Sequence, residues 1–550
     1  MTPSSTVDAS LDADLLLRSL LTEYSQFGEI CSFSGSVYDT AWLSMVRSPD
    51  SDGEHWLFPE MLTVLLDSQS LEGGWNVAGH PIDTIISSLA GILSLKCRYP
   101  TLSGPEGAEV ERRIEMAVAF TRTTIAQVDF VAAERVGFEL IVPTLLHMLE
   151  EHSISFEFSQ RDILFAIRDK KTALITLPAV YSQPTSLLYS LEAFDTLDAD
   201  RVAHYISEGV MFGSPSATAA YLMRASVWDE RAVQHLQNAA KRGKNRNQGL
   251  VPAANPTTFF ELAWVVCTLA DSGIDLSKID RNVRDDISGL LMTGLKNGQG
   301  TIGAGPGWFA DSDDTAKASL ALSHLGLSTD RHPLCFAFEG PTAFRTHSSE
   351  RNPSLTANCN VLLALLSDVN SPHFMSQITK VAIFITDQWM VSDSLVRDKW
   401  HTSPVYPAMT TSVALVQLLR QNQAVHLNAL PHDFVQSRIT PVAEKIVALI
   451  LESQKPTDGS WGLLESNCEE TAYAVILLAH LASLDSLQSS RERIRKATEL
   501  GRQYLISADV PDDAPLGGKD CIWITKTAYA VRNIRRAYII GALHIPVPRF

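Results

Sequence analysis

The sequence predicts an all-α protein in which helices close into toroids, and three observations carry that prediction. Segments with apolar residues at three- and four-residue steps run through the chain, each bounded by Gly, Pro, Ser, Asp or Asn. No stretch alternates strongly enough to predict a substantial sheet. Two segments share a Gln–Gly–Trp pattern, Gln69 to Trp75 and Gln454 to Trp461. A repeated helix end of this kind is typical of helical arrays.

The periodic segments define the expected helices in order. They cover residues 59–69, 83–98, 110–127, 139–151, 258–272, 314–326, 354–368, 409–421, 440–453, 469–484 and 491–506, with one more from Trp523 to His544. The polar stretch from Lys241 to Gly249 predicts an exposed loop. The glycines between Asn297 and Gly307 predict a loop that leads directly into residues 311–316.

Composition excludes several classes of protein. The 550 residues contain 45% hydrophobic and 19% charged residues, which fits a globular protein with a large core and more than one domain. A net charge of −17 disfavours nucleic acid and anionic membranes as partners. No run reaches the roughly 18 uncharged apolar residues of a membrane span, and the N-terminus lacks a signal pattern. The 7 cysteines form no CxxC pair, so we expect free thiols and a cytoplasmic protein.

The sequence Asp311-Ser312-Asp313-Asp314-Thr315-Ala316 concentrates three carboxylates before a helical pattern. Asp311 is a good N-cap residue, and acids in a first turn suit the helix dipole. A carboxyl held among other carboxyls in apolar surroundings has a raised pKa and can act as a Brønsted acid. The alternative is a capped helix start with surplus surface acids.

These residues resemble a known family. DSDDTAKA resembles the DxDDTA motif of class II diterpene cyclases of the copalyl diphosphate synthase type, and the form DDTAKA resembles the fungal branch. Further matches follow in order: Ser36–Trp42 resembles SxYDTAW, Val136–Glu139 resembles VGFE, Pro184–Glu192 resembles PTTLLHSLE, Val251–Trp264 resembles VPNxxPxxxFExxW, and Trp523–Tyr529 resembles WIGKxxY.

The resemblance implies two α/α-barrel domains, γ inserted into β, with the active site between them. By the motifs, β covers 1–30 plus 285–550 and γ covers 31–284. The implied reaction is protonation-initiated cyclisation of geranylgeranyl diphosphate to a bicyclic copalyl-type diphosphate, an isomerase reaction that retains the diphosphate. We find no DDxxD motif and thus expect no class I α domain in this chain. A class I synthase or α domain would act downstream.

By the family pattern Asp313 donates the proton, and Asp311 and Asp314 orient it. Aromatic faces stabilise carbocations by cation–π attraction; the candidates are Trp308, Trp264, Phe309 and Phe259, with core packing as the alternative for each. Lys171, 18 residues before Tyr189, has the family spacing of a lysine that contacts diphosphate. Mg²⁺ is expected with the substrate diphosphate, and Glu134 is the one weak candidate ligand.

Termination differs from the family pattern. Many plant relatives place a His and an Asn where this chain has Tyr189 and Ala253, so Tyr189 and Asn255 are the candidates for the terminating wall or base. Three alternatives stay open: a drimenyl-type cyclase acting on farnesyl diphosphate, a squalene–hopene-type triterpene cyclase, and a helical-toroid binding scaffold whose acids form a solvated rim.

Overall fold

The computed structural model describes residues 9–49, 55–77, 79–133, 135, 137–173, 175, 177–348, 350–368, 371–424, 430, 432–508 and 516–547. Buried apolar residues form two large cores. The terminal core draws on residues 13–33 and 253–545, and the inserted core on residues 38–251. A third, small cluster lies around Cys521 and Ala530.

The helices of the terminal core are α1 (Ala9–Phe27), α12 (Thr258–Asp271), α13 (Arg281–Asn297), α14 (Ser312–His324), α15 (His332–Phe338), α16 (Leu355–Leu366), α17 (Met375–Met390), α18 (Val405–Ala424), α19 (His432–Phe434), α20 (Thr440–Ser453), α21 (Cys468–Leu481), α22 (Arg491–Ala508) and α23 (Arg532–His544). Those of the inserted core are α2 (Val37–Ser44), α3 (Glu60–Ser68), α4 (Pro81–Arg98), α5 (Gly104–Ile125), α6 (Phe138–Glu151), α7 (Arg161–Thr172), α8 (Leu177–Ser182), α9 (Ala199–Val202), α10 (Pro215–Arg224) and α11 (Glu230–Arg246).

Short elements complete the chain. The 3₁₀ turns are Tyr99–Thr101, Ser186–Ala193, Ala203–Tyr205, Leu276–Lys278, Ser371–Phe374, Asp485–Ser490 and Gly518–Asp520, and Val435–Ile439 is a π-helical turn. Two antiparallel two-residue strands, β1 (Trp523–Ile524) and β2 (Ala528–Tyr529), are the only strands among the described residues. The predicted all-α class is confirmed.

The terminal core is a closed ring of helices. Each of α12, α14, α16, α18, α21 and α23 packs against the next, and α23 returns to α12. These helices are almost entirely buried, as expected of an inner ring whose outer face is covered by α1, α13, α17, α20 and α22. The ring is the predicted toroid.

The inserted core closes in the same way. Helices α2, α4 and α6, the 3₁₀ turn Ser186–Ala193 and α10 form a ring in which α10 returns to α2. The boundary between the cores differs from the predicted boundary at 284, because α12 belongs to the terminal ring. Its buried residues Leu262, Val266 and Leu269 lie in the terminal core, and the helix packs on α14 and α23.

The first Gln–Gly–Trp segment ends α3 as predicted. The Gln69 side-chain amide donates hydrogen bonds to the carbonyls of Gly73 and, at 3.0 Å, of Arg113. The Trp75 indole N–H donates to the Leu65 carbonyl at 3.0 Å. Gly73 has a φ of +102°, a left-handed conformation that favours glycine. The buried indole therefore locks the turn onto its own ring of helices.

The second segment, at the end of α20, repeats these bonds. Gln454 donates to the carbonyls of Gly459 at 2.8 Å and Ala497 at 2.9 Å. The Trp461 indole donates to the Ile450 carbonyl at 2.8 Å, and Gly459 has a φ of +75°. The sequence repeat is thus a structural repeat, one copy in each core.

The prediction of an exposed loop over Lys241–Gly249 is wrong for its first six residues, which continue α11 to Arg246. The Arg242 guanidinium is 3% exposed and binds the Glu23 and Glu29 carboxylates of the terminal core. Arg242 and Arg246 thus connect the cores through Glu23, whereas Lys241 and Lys244 are exposed, as predicted. All 7 cysteines are free, as predicted. Within the described ranges, no helix is both long and apolar enough to cross a bilayer.

Candidate active site

The three carboxylates lie at the first turn of α14, at one mouth of the terminal ring. Asp311 is the N-cap, and its Oδ1 accepts the Asp314 backbone N–H at 2.8 Å, as the sequence predicts. The Thr315 hydroxyl lies 2.9 Å from the Ile302 backbone nitrogen, whose N–H it accepts. The Asp311 N–H donates to the Ile302 carbonyl at 3.2 Å. The glycine-rich segment before the cluster is thereby fixed against the helix that carries the acids.

The Asp313 carboxyl is the least buried of the three and has one hydrogen-bonding partner among the described residues. The Asn360 side-chain amide, on α16 across the ring, donates to Asp313 Oδ1 at 2.6 Å. Burial raises the pKa of Asp313 to about 7; the bond from Asn360 opposes the rise, and the nearby Asp311 carboxylate adds to it. Asp313 therefore retains its proton in a large fraction of molecules at neutral pH.

The pKa values of the two neighbouring acids, Asp314 and Asp311, are also raised, which favours their protonated forms. Burial, followed by the Asp311 charge, raises the pKa of Asp314 well above its usual range. Burial also raises the pKa of Asp311, against the opposing charge of His347. Because each of these carboxyls lies close to another, the protonation of one changes the pKa of its neighbour, and the acids titrate as a set.

Aromatic rings line the interior next to the cluster. Tyr406 lies close enough for the Asp313 charge to help raise its pKa, after the larger effect of burial. The Tyr406 ring stacks on His401 with centroids 4.5 Å apart, and its hydroxyl accepts the Trp264 indole N–H at 3.0 Å. The Trp523 ring lies 4.9 Å from that of Tyr406. These faces are suited to stabilising a cation.

The aromatic wall continues towards Tyr189. The Tyr529 ring stacks on Phe33 with centroids 4.4 Å apart, and Phe260 lies edge-on to Phe33 at 5.9 Å. Burial, then the charges of Tyr189 and Asp314, raises the pKa of Tyr529 well above its usual range. Tyr529 is thus close to both Tyr189 and the acid cluster, which lie in different cores.

The four predicted aromatic residues lie in different parts of the structure. Trp264 lies in the wall, 1% exposed, with the Lys317 ammonium 5.4 Å from its ring. The rings of Trp308 and Tyr189 lie 5.6 Å apart where the two cores meet. Phe309 stacks on Phe212 of the inserted core, and Phe259 lines a cleft on the outer side of Trp308. The structure gives Phe309 and Phe259 packing positions.

Tyr189 is accompanied by a buried charge. The Lys526 ammonium lies 4.8 Å from the Tyr189 ring centroid and is paired with the fully buried Glu192 carboxylate. Asn255 is also fully buried, but its amide donates to Glu29 at 3.0 Å, on the cleft side. Tyr189 therefore lies at the end of the aromatic wall, whereas the Asn255 side chain binds Glu29 on the cleft side.

A cavity of about 590 Å³ lies between residues of the two cores. It is lined by Arg135 of the inserted core and by Arg397 and Lys519 of the terminal core, which are cations suited to an anionic group. Asp129 and Glu465 also line it. Asp398 connects this cavity to the acid cluster, because it lines the cavity and its charge helps raise the pKa of Asp313.

The predicted diphosphate and metal residues lie elsewhere or outside the described residues. Lys171 pairs with the Glu139 carboxylate, is 48% exposed at the side chain, and does not line the 590 Å³ cavity. Glu134 falls outside the described residues. Among those that are described, no three His, Cys, Asp or Glu side chains cluster as metal ligands. The assignments of Lys171, Glu134 and Mg²⁺ stay predictions.

Sequence reasoning missed the residues that complete the site across the ring. Asn360 directly precedes the apolar run Val361–Leu366 of α16, and a buried amide in such a helix was the available signal. Asp398 caps α16 by accepting the Leu355 N–H at 2.8 Å and so fixes the helix that carries Asn360. Tyr406 gave no local signal of its own, and Lys526 lies in the motif Trp523–Tyr529, for which no role was predicted.

Comparisons with known proteins match almost the whole chain. The chain is 36% identical over 517 residues to the bifunctional premutilin synthase of Rhodocybe pseudopiperita, covering 94% of this chain and 53% of that protein. It is 33% identical over 545 residues to the copalyl diphosphate synthase of Talaromyces verruculosus, covering 98% and 56%. Over nearly its whole length the chain is homologous to fungal diterpene synthases. No family model matches it.

Two solved structures show the fold that this chain shares with known proteins. The ent-copalyl diphosphate synthase from Streptomyces platensis superposes with a TM-score of 0.74 at 24% identity, covering 98% of this chain and 99% of that one. The ent-copalyl diphosphate synthase from Arabidopsis thaliana gives a TM-score of 0.59 at 19% identity, covering 90% and 79%. The fold is that of class II terpene cyclases. The chain spans about half the length of the curated relatives it matches.

Proposed function

We propose that the chain is a class II diterpene cyclase that converts geranylgeranyl diphosphate into a bicyclic copalyl-type diphosphate. The observation that carries the proposal is the Asp313 carboxyl at the first turn of α14, next to buried aromatic rings, whose pKa is raised to about 7 by burial and by the nearby Asp311 and Asp398 carboxylates. Alkenes are very weak bases, so protonation requires an acid in a site preorganised for the cation that forms.

The first step transfers a proton from Asp313 to the terminal double bond of the substrate. The O–H bond breaks, a C–H bond forms with the alkene π electrons, and a tertiary carbocation remains. The Asn360 amide then donates to a full carboxylate, a stronger hydrogen bond than one to the neutral acid. This difference favours the transition state over the ground state.

Ring closure follows along the aromatic wall. The next two double bonds attack the cation in turn, one C–C bond forms per ring, and the charge moves from the acid cluster towards Tyr189. The fourth double bond, beside the diphosphate, does not react. The faces of the Tyr406, Trp264 and Trp523 rings stabilise it by cation–π attraction. Loss of a proton at the Tyr189 end forms the last alkene.

The diphosphate stays attached and serves as the anchor. Arg135, Arg397 and Lys519 line the cavity between the cores, and we assign the diphosphate to it, with Lys171 as the sequence-based alternative. Mg²⁺ bound mainly through phosphate oxygens needs only one or two carboxylates, and Asp129 and Glu465 fit that role. Its chemistry there is neutralisation of the diphosphate charge.

A product that retains its diphosphate requires a second enzyme activity to ionise it. The relatives whose names include "bifunctional" are nearly twice the length that this chain covers. We assign the consuming step to a class I synthase or α domain that acts after this chain. We also propose that the chain acts in the cytoplasm.

The test is incubation of the purified chain with geranylgeranyl diphosphate, farnesyl diphosphate and squalene, with and without Mg²⁺. Mass spectrometry before phosphatase treatment should show a cyclised isomer that still carries the diphosphate, formed from geranylgeranyl diphosphate. Product from farnesyl diphosphate alone would establish the drimenyl alternative, and product from squalene the triterpene alternative. No product from any substrate, by a folded protein, would favour the binding scaffold.

A further inference from the structure

Outside the aromatic wall, a cleft of about 820 Å³ separates the inserted core from the glycine-rich segment before the acid cluster. Polar side chains line it, among them Glu29, Gln234 and Asn238. Arg231 and Gln234 are exposed, so the cleft is in contact with bulk solvent. It is a place where water collects beside the site described above.

One residue borders both spaces. The Trp308 indole lines the cleft on one side, and its ring lies 5.6 Å from that of Tyr189 on the other. Tyr189 in turn has the buried Lys526 ammonium over its ring at 4.8 Å. At this point a single indole separates the solvent cleft from the end of the aromatic wall.

The surroundings hold the indole in place. Its N–H donates to the Pro256 carbonyl at 2.6 Å. The indole lies directly on Gly213, where a Cβ atom would overlap it. Gly213 has a φ of +75°, so both the space and the backbone conformation favour glycine. A rigid, closely packed ring of this kind excludes water more completely than a mobile side chain.

We infer that Trp308 is the partition that keeps cleft water away from the carbocation at the Tyr189 end of the site, and so decides between proton loss and water capture. The inference rests on the proposed function. Trp308 acts here as a specificity-determining residue, a role distinct from cation stabilisation.

The two outcomes differ by one water molecule. In proton loss, a C–H bond next to the cation breaks, its electrons form the alkene, and the proton leaves on a base. In water capture, a water oxygen forms a C–O bond with the cation and the surplus proton passes to water in the cleft. The second product is a hydroxylated diphosphate whose oxygen comes from solvent.

The experiment compares wild type, Trp308→Phe, Trp308→Leu and Trp308→Ala with geranylgeranyl diphosphate in H₂¹⁸O. Trp228→Ala, which removes a partly buried indole of the inserted core away from the cleft, is the matched control. Circular dichroism and thermal melting establish that each variant is folded. If Trp308→Ala does not fold, Trp308→Leu, which retains apolar volume, replaces it.

We expect Trp308→Ala and Trp308→Leu to raise the ¹⁸O-labelled fraction of the product at least about tenfold, a change of roughly 1.4 kcal/mol in partition. Trp228→Ala should match wild type, and Trp308→Phe, which keeps an aromatic ring but loses the indole N–H, should raise the labelled fraction less than Trp308→Ala. An unchanged labelled fraction in folded Trp308→Ala or Trp308→Leu overturns the inference and leaves the proposed function intact. Absence of any cyclised product from wild type refutes both.

Discussion

Two buried carboxylates near the boundary between the cores have opposite partners. Glu192 of the inserted core is paired with the Lys526 ammonium and accepts the Tyr38 hydroxyl at 2.9 Å. Asp313 of the terminal core accepts from the neutral amide of Asn360 and lies among carboxyls. Among the described residues, no cation hydrogen-bonds Asp313. A cation in direct contact turns a buried acid into a structural cross-link, whereas a neutral amide partner, with the Lys317 charge acting only from a distance, leaves a reactive proton.

The largest expected effect is on the cyclisation rate and comes from a change at Asp313. Asp313→Asn removes the proton and should lower the cyclisation rate by about 10²- to 10⁴-fold, the usual contribution of a positioned acid. Single-turnover product formation measures the loss. Asp485→Asn, at a fully exposed carboxylate, is the control and should retain wild-type turnover. Near-native turnover by folded Asp313→Asn would contradict the proposed role.

A change at the Glu192–Lys526 pair should lower the stability of the fold. Lys526→Met leaves the Glu192 charge buried without its partner and should lower the free energy of unfolding by about 3–5 kcal/mol, measured by denaturant unfolding. The double variant Glu192→Gln, Lys526→Met should recover part of that loss, because no uncompensated charge remains. Arg495→Ala, which breaks an exposed pair with Glu492, should have no measurable effect. A Lys526→Met protein as stable as wild type would refute the cross-link.

Local features of the fold and of the site could be predicted from the sequence, whereas contacts between distant segments could not. The cap at Asp311 and the turns at Trp75 and Trp461 follow from local patterns, because a cap or turn is satisfied within a few residues. Asn360 and Lys526 reach their partners from distant parts of the chain, and only the closed ring brings them there. Arg242 was misassigned because a charged run predicts solvent exposure unless a partner such as Glu23 is known.

The Asn360 amide offers a way to sharpen the comparison. Asn360→Leu removes the donor that favours the Asp313 carboxylate, so the pKa of Asp313 should rise further. The alkaline limb of the rate–pH profile should move to higher pH while the plateau rate falls about 10-fold or more, the value of a hydrogen bond to a charged group. A lower plateau with an unmoved limb would show a structural role only.

The pH dependence of wild type follows from the same group. Activity should decline as pH rises through about 7, because the acid form of Asp313 is lost there. The raised pKa means that the native state binds this proton more tightly than the unfolded state. Its contribution to stability is present at low pH and is lost as pH rises through the folded pKa. The melting temperature of Asp313→Asn relative to wild type should therefore increase from pH 5 to pH 8.

The smallest expected effect is at the other end of the wall. Tyr189→His and Tyr189→Phe alter the group beside the last cation and should change the product ratio, with turnover within about tenfold of wild type. Gas chromatography of the dephosphorylated products measures the ratio. Tyr504→Phe, on the outer helix α22, is the control. Identical products from Tyr189→His and wild type would remove Tyr189 from the terminating wall.

The segment around β1 and β2 has a consequence for biosynthesis. It supplies the Lys526 ammonium to Glu192, so this buried acid of the inserted core depends on a cation more than 300 positions later, whereas Asp83 is paired with Arg135 of its own core. When the ribosome has released residues 38–251, Lys526 has not yet been synthesised. The nascent inserted ring therefore contains an unpaired Glu192 until translation passes residue 526, which makes late elongation the vulnerable period for aggregation and for chaperone engagement.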